Sequence, residues 1–286
     1  MRPSIRAIGL TALALLAFAA NSVLTRAALD LTGIDPISFT AVRLVSGALL
    51  LLVLVRARIE RSDSRGGWTP ALALFGYALC FSLAYRGLTA ATGALLLFGA
   101  VQVTMLAAAA ARGERLTGRQ RLGSFTALGG LLLLLWPGLA APPAAEAGLM
   151  LIAGVAWGIY TLRASGPGNP TARTAANFLR ASVPALGLLA VWATQARWDP
   201  HGVLLAVASG ALASGLGYAI WYAALRRIDT HTAAVAQLAV PVLTAGGGVL
   251  LLAEPLSARL LGAGTLVLIG IGLVVRGRST ASSPGR

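Results

Sequence analysis

Charge and cysteine are both scarce in this chain. Of its 286 residues 11% are charged, nine of them acidic, with two histidines and one cysteine, whereas a soluble domain carries roughly 25% charged residues. The lone Cys80 excludes an intramolecular disulfide. With no Cys/His cluster near it a zinc site falls away too, so no metal and no cofactor is expected, and Cys80 reads as an inert packed thiol. The nine acids, Asp30, Asp35, Glu60, Asp63, Glu114, Glu146, Asp199, Asp229 and Glu254, all fall in turns or at helix ends. Clustered carboxylates for metal or acid–base chemistry are therefore missing, which argues against an enzyme. Period-two alternation is missing as well, which excludes a membrane β-barrel.

What the chain has instead is apolar length: 57% hydrophobic residues and a mean hydropathy of +0.79. Runs of about 20 apolar residues between short charged turns match what a helix needs to cross a bilayer. The expectation is an all-α polytopic membrane protein with ten transmembrane helices. They are placed at Ala7–Ala28, Pro36–Val55, Trp68–Tyr85, Thr89–Ala111, Leu122–Trp136, Glu146–Leu162, Ala172–Gln195, Gly202–Leu225, Thr230–Ala253 and Ala258–Val275. The first span contains Ala17-Phe18-Ala19, which resembles a leader-peptide cleavage site. It is kept as helix 1 because it runs on through Asn21 to Arg26 and because Gly9 to Phe18 is spaced like Gly148 to Trp157. The Pro/Ala-rich stretch Pro137 to Ala145 links two halves, 1–140 and 141–278, and the polar tail from Ser279 reads as disordered.

A net charge of +14 raises the question of a nucleic-acid partner, but the basic residues sit in alternate turns. Seventeen arginines fall on the side of the N-terminus, and four, Arg26, Arg86, Arg197 and Arg259, on the other. The positive-inside rule then puts both termini in the cytoplasm, and the partner of the basic turns is the lipid bilayer. Arg43 and Arg180 are the two remaining, intramembrane charges.

The halves repeat. Shifted by 140 positions, Arg86 falls under Arg226, Thr92 under Thr232, Thr104 under Thr244, Glu114 under Glu254 and Leu116 under Leu256, with Phe81 opposite Trp221. Five helices per copy is an odd number, so the second copy is inverted. Inverted repeats let two copies exchange conformations around a central site and expose it alternately to each side.

The ten spans in two halves, the run Ser38-Phe39-Thr40-Ala41-Val42-Arg43, and Pro241 followed by Glu254-Pro255-Leu256 resemble the drug/metabolite transporter superfamily, EamA type. Within it, Gly217 to Tyr222 and Val235 to Leu243 look most like the YddG amino-acid exporters. The resemblance implies an inner-membrane exporter of amino acids or related small metabolites, with a cavity formed by helices 1, 3, 4, 6, 8 and 9. Helices 5 and 10 are left for the periphery or a dimer contact, in a monomer or weak homodimer. Because no carboxylate lies mid-span, a facilitator without proton coupling is expected; coupling through His231 stays open beside its reading as an interfacial helix start. A multidrug or cationic-solute exporter, a lipid-processing membrane enzyme and a lipid-scrambling or purely structural membrane protein are the alternatives.

Neutral polar and aromatic residues are the candidates for the site. Tyr77, Phe81 and Tyr85 share a helix face at four-residue spacing, as do Phe98, Gln102 and Met105, Trp157 and Tyr160, and Ser214, Tyr218 and Trp221 or Tyr222. Asn21 adds to them from helix 1 together with Phe18 and Thr25, and Gln237, Pro241 and Thr244 from helix 9. For Trp221 and Tyr222 an interfacial belt competes with the cavity. Gln102 and Gln237 could instead bond neighbouring helices. Pro241 reads as a hinge, and Val101 stands at its place in the first copy. Arg43 and Arg180 occupy roughly equivalent places, which favours a structural role over a carboxylate anchor.

Overall fold

A computed structural model describes residues 5–57, 66–113, 117–138, 141–164, 168–228, 232–233 and 236–281. His231, Asp229, Glu114, Leu116, Glu60, Asp63 and several of the counted turn arginines lie outside the described residues, as do 282–286 of the tail.

Ten helical spans are present, and no strand among the described residues. They are α1 Ile5–Leu31, α2 Pro36–Ala57, α3 Trp68–Ala84, α4 Ala90–Ala111, α5 Gly118–Leu135, α6 Ala144–Arg163 and α7 Pro170–Val191, then α8 Pro200–Leu225, α9 Ala239–Leu252 and α10 Ala258–Ala281. Seven are long and apolar enough to cross a membrane, and α3 and α9 are shorter apolar helices. The first turn of α5 holds Arg119 and Arg121, which lowers its hydropathy. Helix starts follow local chemistry. Asp35, Asn169 and Asp199 each cap the backbone N–H groups of a helix whose first residue is proline, where a missing donor costs nothing. Thr117 and Gln120 form a reciprocal capping box that starts α5 four residues before the expected Leu122.

Three boundaries differ from expectation. The helix α10 runs through Ser279 to Ala281, so the first residues of the tail are helical. Helix α8 is not uniformly α: Ala208–Leu216 is π-helical between α-helical ends. The regular part of α9 begins at Ala239, after a turn at Gln237–Leu238, rather than at Thr230. Pro241 is the cause: it has no N–H for the carbonyl of Gln237, which accepts instead from Val240 N at 3.1 Å.

Packing follows the repeat. Helices α2, α4 and α5 pack on α7, α9 and α10, each on the helix five later in the chain, and the α3–α6 contact is matched by α1–α8. This pattern is unchanged when helices five apart are exchanged, as a two-fold axis in the membrane plane requires. Small residues set the closest crossings. A Cβ on Gly123 would lie 2.5 Å from the Gly270 carbonyl where α5 crosses α10, and one on Gly210 would collide with the Arg43 carbonyl where α8 crosses α2. The outer surface is apolar, with Leu49, Val53, Phe125, Leu132 and Leu250 among its exposed side chains. The protein is a multi-pass membrane protein.

Candidate functional site

A cavity of about 630 Å³ lies between the two halves. At one end it reaches Gly168 in the α6–α7 turn, Arg173 in the first turn of α7 and Arg226 at the end of α8, on the face from which α1 starts. At the other end it stops in mid-bundle at Asn21, Ser22, Tyr77 and Phe81.

Its walls are aromatic faces in sequence. Phe81 meets Tyr77 at 5.2 Å between centroids, Tyr77 meets Trp157 at 4.8 Å, and Trp157 meets Tyr160 at 5.1 Å and Tyr218 at 5.7 Å. Phe18 closes the run against Tyr218 at 5.6 Å and Trp221 at 5.9 Å. Such tilted and stacked pairs fix one another's orientation. The amides of Gln102 and Gln237 face the cavity, and neither has a side-chain hydrogen bond to another described residue.

The polar groups at the deep end are ordered by one chain of bonds. Ser209 Oγ donates to Asn21 Oδ1 at 2.7 Å, and Asn21 Nδ2 donates to Tyr77 Oη at 3.3 Å. Arg43 Nη2 donates to the same oxygen at 3.2 Å. Ser209 reaches Asn21 because it lies in the π-segment, whose i→i+5 closure brings residues five apart, Ser209 and Ser214, toward one face.

Beyond Phe81 the bundle is closed. Arg26 Nε bonds Glu254 Oε1 at 3.0 Å and its Nη2 pairs with Asp30 at 3.0 Å. Arg26 Nη1 donates to the carbonyls of Tyr85 and Arg86, while Glu254 Oε2 accepts from Ala90 N at the start of α4. Ends of α1, α3, α4 and α9 are thus tied by one ion pair, itself largely buried. On the same face Asp35 Oδ2 accepts from Arg197 N at 2.8 Å and joins the α1–α2 and α7–α8 connections. Burial raises the pKa of Asp35, but the bonds from Ser38 Oγ and from the N–H groups of Arg197, Ser38 and Ile37 outweigh it and hold the carboxyl below its usual range.

Residues 5–136 and 145–276 each match the EamA-like transporter family. The chain belongs to that family. An uncharacterized protein of Pseudomonas aeruginosa is 56% identical over 277 residues, 96% of each chain. An uncharacterized transporter of Archaeoglobus fulgidus is 32% identical over 133 residues, 46% of this chain and 48% of that one. A crystal structure of a protein 20% identical superposes with a TM-score of 0.68 over 96% of this chain and 99% of the other, which shows the same fold. This EamA-like protein is therefore a membrane transporter of the drug/metabolite transporter superfamily.

Ten of the eleven candidate side chains of this EamA-like transporter line its cavity: Asn21, Tyr77, Phe81, Phe98, Gln102, Trp157, Tyr160, Tyr218, Trp221 and Gln237. Tyr85 does not. It shares the face of Tyr77 and Phe81, but its ring is fully buried edge-on to Phe81 and its hydroxyl donates to the Ala90 carbonyl, inside the closed face. Pro241 lines the cavity in the first turn of α9. Arg43 and Arg180 are not equivalent in their surroundings. Arg180 Nη1 bonds the Ala176 carbonyl of its own helix at 3.2 Å, whereas Arg43 is 3% exposed and stands behind Tyr77. Helix starts at Pro36 and Pro170 bring Asn177, not Arg180, into register with Arg43. Two further helices contribute: Arg173 from α7, and Ile271 and Val275 from α10. Arg173 was indistinguishable in sequence from the other turn arginines, and the apolar α10 residues carried no signal at all.

Proposed function

We propose that this EamA-like transporter is an inner-membrane, alternating-access exporter of amino acids or related small metabolites, with both termini in the cytoplasm. The observation that carries the reading is the cavity itself, open at one face and tied shut at the other by the Arg26–Glu254 pair. The arginine asymmetry supports a cytoplasmic open face, and on this reading the conformation is inward-facing. Amide and phenol groups among aromatic faces suit a zwitterion with an apolar side chain, whose ammonium also meets ring faces. The sequence likeness of Gly217 to Tyr222 to the YddG exporters supports the amino-acid form. The unpartnered amides of Gln102 and Gln237 support contact with solute rather than with a neighbouring helix.

Transport without proton coupling is the mode we favour, because the described acids lie in turns and helix ends and the described cavity wall holds none. Cationic solutes meet Arg173 and Arg226 at the mouth, which disfavours the multidrug form. The match of both halves to a transporter family disfavours the lipid-processing enzyme.

The test is counterflow by purified protein in liposomes against a panel of amino acids, dipeptides and cationic drugs, with and without an imposed pH gradient. Saturable amino-acid exchange indifferent to the gradient is the expected result. No solute flux, or flux of cations alone, overturns it.

A further inference from the structure

Arg43 sits inside the bundle at 3% exposure and forms no ion pair with another described residue. Its guanidinium carbon lies 5.3 Å from the Tyr77 ring centre and 5.0 Å from that of Phe81, and its Nε and Nη1 have no hydrogen-bond partner. Arginine cannot shed its charge, and a buried cation without an anion is a costly arrangement in a membrane interior. Ring faces offset part of that cost. They do not satisfy the two N–H-bearing nitrogens.

The direction of the bonds at Tyr77 shows what is missing. Ser209 fixes the Asn21 amide so that Nδ2 points at Tyr77 Oη, and Arg43 Nη2 points at it too. The oxygen therefore accepts twice, and its own proton is left to donate. Tyr77 lines the cavity where the wall ends, and the fixed positive charge of Arg43 bonds its oxygen. A donor polarised in this way is complementary to an anionic oxygen and repels a bare ammonium.

We propose that the deep end of the cavity receives the carboxylate of the solute at Tyr77 Oη, with Arg43 as the positioning residue that supplies the countercharge, so that the transported class is carboxylate-bearing and excludes simple amines and organic cations. The inference rests on the transport reading above and narrows it. The zwitterion's carboxylate goes to the deep end and its ammonium lies back along the aromatic faces of Trp157 and Tyr218.

Leucine, phenylalanine and threonine, each with its amide and its decarboxylated amine, are tested for counterflow in proteoliposomes. The amino acids exchange, while their amides and amines neither exchange nor compete at tenfold excess. Arg43→Gln raises the half-saturating amino-acid concentration at least tenfold with a maximal rate within threefold, and collapses the preference for acid over amine; Arg43→Lys restores much of that preference. Tyr77→Phe keeps the cation, removes the donor and reproduces the loss of preference, so the inference stands testable if Arg43→Gln misfolds. A merely structural Arg43 lowers folded yield and maximal rate and leaves the acid-to-amine ratio unchanged, which overturns the proposal. Equal exchange of amines does the same and spares the transporter reading. Exchange of no solute at all, including the wider panel, overturns both.

Discussion

Gln102 and Gln237 are each an amide without a partner among the described residues on a wall of the cavity, and a side chain in that position is free to be lost at small cost to the fold. Gln102→Leu is expected to change melting in detergent by no more than a surface substitution, within about 0.5 kcal/mol, while reducing the amino-acid exchange rate. Were the amide bonded between helices, stability would fall first, by about 1 kcal/mol or more. Asp35 behaves in the opposite way. Its carboxyl titrates below the usual value of about 3.9, so the tie it makes to Arg197 is complete above that pH and is lost as pH falls through its lowered pKa. Protection of the Arg197 amide against hydrogen exchange should hold from neutral pH through the ordinary carboxylate range and fall only as pH drops through the lowered pKa; Asp35→Ala should remove that protection at every pH. At this scale the sequence was a fair guide. Four-residue spacing found the aromatic wall, because a stripe of rings on one helix face is visible in the chain. It overran at Tyr85, because where a cavity ends is decided by another element's side chains, here Arg26 and Glu254, which are distant in sequence.

Among elements, α8 and α9 depart most from regular geometry, and both departures border the cavity. The π-segment could not be read beforehand: the two glycines and two serines of Ala-Ser-Gly-Ala-Leu-Ala-Ser-Gly-Leu weaken a helix without specifying a π turn, and its wide turn coincides with close contact against α2 at Gly47 and Gly210. Gly210→Leu, which forces side-chain atoms into the Arg43 carbonyl, is expected to abolish folded protein, measured as monodisperse yield; Gly246→Ala, where a Cβ meets open space, should leave it unchanged. The break at Gln237–Leu238, by contrast, was legible from Pro241, though its position four residues before the proline needed the hydrogen bonds to define it. Glu254→Gln tests the closed face. It keeps an acceptor for the Ala90 N–H and removes the charge paired with Arg26, so the far side should open more often. In a Cys80→Ser background, a cysteine placed at Ser22 should react several-fold faster with an impermeant maleimide applied from that side.

For the whole molecule, the ten helices and the two-fold exchange of contacts were both foreseeable, because bilayer thickness fixes element length and because Arg and Glu are rare enough for their recurrence to register. Which face is open was not, since the proposed alternating mechanism requires one sequence to support both arrangements. The repeats, however, are related and not identical. Helix α8 carries a π-segment while its counterpart α3 is regular, and Pro241 in α9 stands opposite Val101 in α4. In the proposed alternating cycle, two end states built from unequal halves differ in energy, so an empty carrier is divided unequally between them. For a neutral solute moved without coupling, the Haldane relation makes the ratio of maximal rate to half-saturation the same from either compartment. Unequal resting populations then have to appear as unequal half-saturation concentrations, compensated by unequal maximal rates. Export measured from a loaded vesicle and uptake into an empty one should give different curves with the same initial slope, and Pro241→Ala, which gives the Gln237 carbonyl its donor back, should draw those curves together.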